Sequence, residues 1–117
     1  MGSQEVFKDS FCKSRQVAEE IMSDFAARAF DYKGAELVVK FEMRMRMRMD
    51  LAIRRVSTQS EKLGYLFGYI KAVNGLFEIA NKRPNANANE LSEEFRNLLA
   101  VAQIQLPEYS FSDSFLE

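Results

Sequence analysis

The chain has 117 residues, 47 % of them apolar and 28 % charged, with a formal net charge of −1; this composition suits one modest globular core and excludes global disorder. It contains no histidine and no tryptophan, and Cys12 is its one cysteine, which excludes histidine-dependent triads, histidine-zinc sites and an intrachain disulfide. No run of 18 apolar residues occurs, so no membrane span is predicted; the lone cysteine, with Glu5 and Asp9 ahead of any apolar stretch, predicts a cytoplasmic protein without a secretory signal.

Residues 5–32 predict a long amphipathic helix. Phe7, Phe11, Ala18, Ile21, Met22, Phe25, Ala29 and Tyr32 follow spacings of three and four, while Glu19, Glu20 and Asp24 lie off that stripe. Gly34 fits the position just past a helix end, where a left-handed backbone costs glycine little.

From Leu37 to Ile53 the chain alternates. Leu37, Val39, Phe41, Met43, Met45, Met47, Met49, Leu51 and Ile53 hold the odd positions, with Lys40, Glu42, Arg44, Arg46, Arg48 and Asp50 between them. Residues 37–56 carry six basic and two acidic groups, a local excess of +4 in a chain that is otherwise acidic. A strand sends successive side chains to opposite faces, so period two predicts a strand with one apolar and one basic face. Fully extended, residues 37–56 would span about 65 Å at roughly 3.3 Å per residue, whereas a domain of this size has a radius of gyration of roughly 13 Å. The strand must therefore fold back as a β-hairpin or pair with a second subunit, which predicts a homodimer or larger oligomer. The competing reading is a helix, because Met, Arg, Leu, Ala, Glu and Lys are all good helix formers.

Thr58 followed by Glu61 resembles a capping box and predicts the next helix start. Leu63, Leu66, Phe67, Ile70, Val73, Phe77 and Ala80 give it a helical stripe. Tyr65, Tyr69, Leu76 and Ile79 widen that stripe into an arc suited to the central helix of a core. Gly64 and Gly68 share one face and invite close approach by another element. The polar run from Pro84 to Asn89 ends this helix near Lys82. A last helix is predicted from about Glu90, capped by Asn89, with Leu91, Phe95, Leu98, Leu99 and Ala102 on its apolar face. Residues 107–117, with Tyr109, Phe111, Phe115 and Leu116, read as a tail that is mobile or docked on a partner. The predicted fold is a single α+β domain over 1–117, mostly helical, in the order helix, long strand or β-hairpin, helix, helix, with strand pairing between subunits. The alternative is an all-α four-helix bundle.

The predicted partner or phosphate contact is Lys40, Arg44, Arg46, Arg48 and Arg54. On one strand face, cations roughly 6.6 Å apart approximate the phosphate repeat of a nucleic-acid strand. The main reading is a non-enzymatic, oligomeric interaction or assembly protein whose basic strand face grips an acidic protein partner. The alternative is a regulatory protein that uses the ridge on a nucleic-acid backbone. A basic ribbon followed by a helix resembles the ribbon-helix-helix regulators across Leu37–Lys82. The strand is longer than theirs, a helix precedes it, and the second helix is displaced past the asparagine loop, so no base-reading role transfers. The bland reading of the same charges is a solvated face paired with Glu42, Asp50 or carboxylates of the flanking helices. Met43, Met45, Met47 and Met49 form the predicted oligomer interface; as copper(I) ligands they lack the cysteine or histidine that usually accompanies such a site. Tyr65 and Tyr69 are spaced to stack a ring on one helical face. No catalytic residue, metal or cofactor is predicted.

Overall fold

The computed structural model describes residues 2–106, which form four helices: α1 (Ser3–Ala27), α2 (Gly34–Arg54), α3 (Gln59–Lys82) and α4 (Ala88–Ile104). No strand occurs among the described residues. The α+β prediction is thus overturned, and the four-helix alternative describes the chain. The tail predicted over 107–117 lies outside the described residues.

The physical reason for the error lies in the backbone. A helix of 21 residues is about 32 Å long and fits within the longest dimension of the described body, 46 Å. It also satisfies its own backbone hydrogen bonds, which an unpaired strand cannot do. Helical propensity therefore prevails over periodicity in α2, and nothing in the backbone now calls for a second subunit.

The helix ends follow local chemistry. α1 stops at Ala27, five residues before the predicted end. Ala29 takes a left-handed conformation at φ 55°; its N–H reaches Ala26 O, and the N–H of Phe30 reaches Phe25 O, each at 3.2 Å. This double closure is a Schellman motif, completed by an edge-on contact of the Phe25 and Phe30 rings. Gly34 does adopt a positive φ, but it opens α2 and does not close α1. Thr58 caps α3 by accepting from the Glu61 N–H at 3.2 Å. At α4 the cap is Asn87, two residues earlier than predicted: Asn87 Oδ1 accepts from Glu90 N, and Glu90 Oε1 accepts from Asn87 N.

α1 and α3 run side by side in close contact. Gly64 lies against Phe7 and Ser10, and Gly68 against Ser14. Gly75 faces a different helix, meeting Leu98 of α4. α2 packs antiparallel to α3, and Phe41 of α2 meets Phe95 of α4 edge-on at 5.4 Å between ring centres. The main core holds Ile21, Met22, Phe25, Leu37, Phe41, Leu76, Leu91, Phe95 and Leu99. A smaller cluster of Phe7, Phe11 and Leu106 closes the end where α4 finishes.

Candidate protein-interaction surface

Each helical residue turns by about 100°, so a step of two turns by about 200° and lands nearly opposite. A period-two pattern wound into a helix therefore separates into four rows. Leu37, Phe41, Met45 and Met49 face inward and are buried. Val39, Met43, Met47 and Leu51 face outward, exposed by 54, 47, 68 and 51 %. The predicted methionine interface is split accordingly: Met45 and Met49 sit in this chain's own core, and Met43 and Met47 stand in solvent.

The even positions form the two flanks. Lys40, Arg44 and Arg48 lie toward α1, where Arg44 pairs with Asp24 at 2.6 Å and Arg48 with Glu20 at 3.2 Å. Asp24 also takes Arg28 at 2.8 Å. Hydrogen bonds from Arg44 first, and then from Arg28, hold the Asp24 carboxyl below the usual carboxylate range. The Arg44 guanidinium lies over the Phe25 ring and the Lys40 ammonium over Tyr32. On the opposite flank Glu42 pairs with Arg46 at 3.3 Å and Asp50 with Arg54 at 3.4 Å, both one turn apart.

The basic strand face does not exist. Arg44 and Arg48 occupy one flank, Arg46 and Arg54 the other, and each has a carboxylate partner. The reading that rested on this face, a strand gripping an acidic protein, falls with it. Part of the answer lay in the bland reading, since carboxylates of α1 do meet Arg44 and Arg48.

Tyr65 is buried, and the hydroxyl of half-buried Tyr69 donates to Glu42 across the α2–α3 seam. Burial, and then the hydrogen bond and charge of Glu42, push the Tyr69 hydroxyl up to about 12. Both rings are thereby built into the bundle rather than presented together for stacking.

Val39 and Leu51 belong to the outward row, yet grouping all odd positions on one face concealed them. Turning the same run at a helical angle would have found them. α3 adds exposed Leu66, Ile70 and Phe77, and an open groove of about 410 Å³ between α3 and α4 is lined by Phe67, Ile70, Lys71, Leu98 and Val101 among others. Among the described residues no cluster of three metal-ligating side chains occurs, and no helix is long and apolar enough to cross a membrane. No protein-family model matches the chain, and no match was found among curated proteins or solved structures.

Proposed function

We propose that this chain is a non-enzymatic protein-interaction module that meets its partner through the outward row of α2. One observation carries the reading: Val39, Met43, Met47 and Leu51 form a continuous apolar row, rimmed by charge, on a helix whose inner row already supplies the core. Such a patch marks a contact surface more often than a solitary exposed leucine does. Unbranched methionines at its centre adapt to irregular surfaces. Covering the exposed half of four side chains is worth about 4 kcal/mol, and a standard interface takes about 800 Å² from each partner. The row alone therefore suits a transient contact.

The test is photocrosslinking from a diazirine side chain placed at Met47, compared with one at Ile104, which is 84 % exposed on another helix. A discrete adduct from position 47 and none from 104 is expected, abolished by Met43→Glu. Equal labelling from both positions, or none from either, refutes the reading. An adduct between two copies of this chain identifies self-association as the contact.

A second reading keeps a nucleic-acid backbone as the partner. It is favoured by the row Lys40, Arg44 and Arg48, one turn apart on a single flank, with Lys40 held on an aromatic ring. Fluorescence anisotropy with single- and double-stranded DNA and RNA tests it. Binding should fall steeply with salt, and Arg44→Ala with Arg48→Ala should flatten that fall. No binding at low salt refutes it.

A further inference from the structure

Sulfur on α2 occupies two opposite environments. Met45 and Met49 are sealed in the core, as is Met22 of α1, while Met43 and Met47 stand exposed. The exposed pair are one turn apart and so are neighbours on the surface. Each has cations at helical-neighbour spacing: Lys40 and Arg46 are three residues to either side of Met43, and Arg44 is three before Met47.

We propose that Met43 and Met47 form a paired, reversible oxidation site for hydrogen peroxide. The step balances: one peroxide oxygen forms a bond to the thioether sulfur, the O–O bond breaks, sulfur is oxidised to sulfoxide, and the peroxide leaves as water with both its protons. A sulfoxide oxygen accepts hydrogen bonds, and at the exposed positions 43 and 47 solvent water supplies them even though Lys40, Arg44 and Arg46 are engaged with Tyr32, Asp24 and Glu42. At 45 or 49 the same oxygen would be buried in the cluster of Leu37, Phe41 and Leu76, an unpaired polar group in an apolar site. The alternating sequence thus separates two oxidisable sulfurs from two protected ones within seven residues. The regulatory consequence rests on reading the row as a contact surface: oxidation makes its centre polar, and methionine sulfoxide reductases restore it.

The experiment is a time course of the folded 117-residue chain in dilute hydrogen peroxide, read by intact-protein mass spectrometry with backbone fragmentation. Trypsin is unsuitable because cleavage after Arg44, Arg46 and Arg48 leaves Met45 and Met47 in identical Met-Arg dipeptides. Met43 and Met47 should gain one oxygen each at least tenfold faster than Met22, Met45 and Met49, and the difference should vanish in denaturant. The doubly oxidised chain should keep its cooperative melt, with Tm within about 4 °C of the untreated protein, and the reductases should remove both oxygens. Equal rates at 43, 45, 47 and 49 in the folded chain, or loss of the melt when only 43 and 47 are modified, overturns the proposal. Photocrosslinking of untreated protein from position 51 examines the contact row separately. Failure there with selective oxidation intact removes the contact reading and retains the oxidation site.

Discussion

Replacing Gly68 by alanine would place a methyl carbon 1.6 Å from Ser14 Oγ and 2.6 Å from Ser14 Cβ. Carbon atoms pack best at about 3.5–4.0 Å, so α1 and α3 would have to separate by about 1 Å at their closest point. Rotating Ser14 relieves only the first clash, breaks its 2.7 Å hydrogen bond to Phe11 O, and leaves Cβ in place. At Gly64 the obstacles are Phe7 O at 2.5 Å and Ser10 Cβ at 2.6 Å; one of these is backbone and cannot rotate away. Overpacking of this kind costs about 3 kcal/mol at the upper end, and alanine returns about 1 kcal/mol in helix propensity. Each substitution should therefore destabilise by about 2 kcal/mol and lower Tm by roughly 10 °C. Gly75 supplies the internal control. Its added carbon would meet the Leu98 methyl groups at 2.4 and 3.1 Å, the movable end of a side chain beside an open groove. Gly75→Ala should be neutral or stabilising by up to about 1 kcal/mol. Thermal and urea melts followed by circular dichroism measure all three, and adding Ser14→Gly to Gly68→Ala should recover part of the loss through the shared contact. The reasoning fails if Gly68→Ala and Gly64→Ala melt like the parent, or if Gly75→Ala is the most damaging.

Two further outcomes follow from local geometry. Ala29→Gly should raise stability by about 1 kcal/mol in the same melts, because the left-handed backbone at φ 55° strains alanine and not glycine; an unchanged or lower Tm contradicts the Schellman closure of α1. Tyr69 favours its neutral form in the folded state, so its stabilising contribution should be complete below pH 10 and be lost as pH rises from 10 toward about 12. Tyr69→Phe should cost about 1 kcal/mol at neutral pH by leaving half-buried Glu42 without that donor, and it should remove the tyrosine-linked part of the alkaline loss. An unaltered alkaline profile in the variant refutes the assignment.

Much of the bundle was legible because its signals are local. Thr58 with Glu61 placed the start of α3, the asparagine run placed its end at Lys82, and the spacing of Leu91, Phe95 and Leu99 gave the buried face of α4. The cap at Asn87 was missed in favour of Asn89, although the signal was there: Glu90 lies three residues after Asn87, the capping-box spacing that Asn89 lacks. The end of α1 was not legible, for Tyr32 continues the helical spacing after the helix has stopped. It reaches Phe25 by way of the turn, with ring centres 5.6 Å apart, and a residue that returns to the core through a loop leaves the same pattern as one carried there by a helix. The close approach at Gly64 and Gly68 could be anticipated from the glycines alone. Its partners Ser10 and Ser14 could not, because small polar residues on α1 carry no apolar signal.

The alternating segment resisted reading because period two is coherent in both backbones and differs only in what it leaves outside. As a strand it yields one apolar face, and covering that face accounts for every odd residue. As a helix it yields two apolar rows on opposite sides, and one bundle can cover only one of them. Leu37, Phe41, Met45 and Met49 complete the core without help. Polar residues at 39, 43, 47 and 51 would leave that packing untouched and would spare the chain an exposed apolar row. Folding therefore explains half of the alternation. The other half is what the proposed contact surface would use, and the arginines fit the same division: their carboxylate partners on α1 and along α2 hold the flanks in place, while among the described residues the row between them is left exposed. On the proposed reading it is this exposed row, and not the alternating run as a whole, that meets a partner.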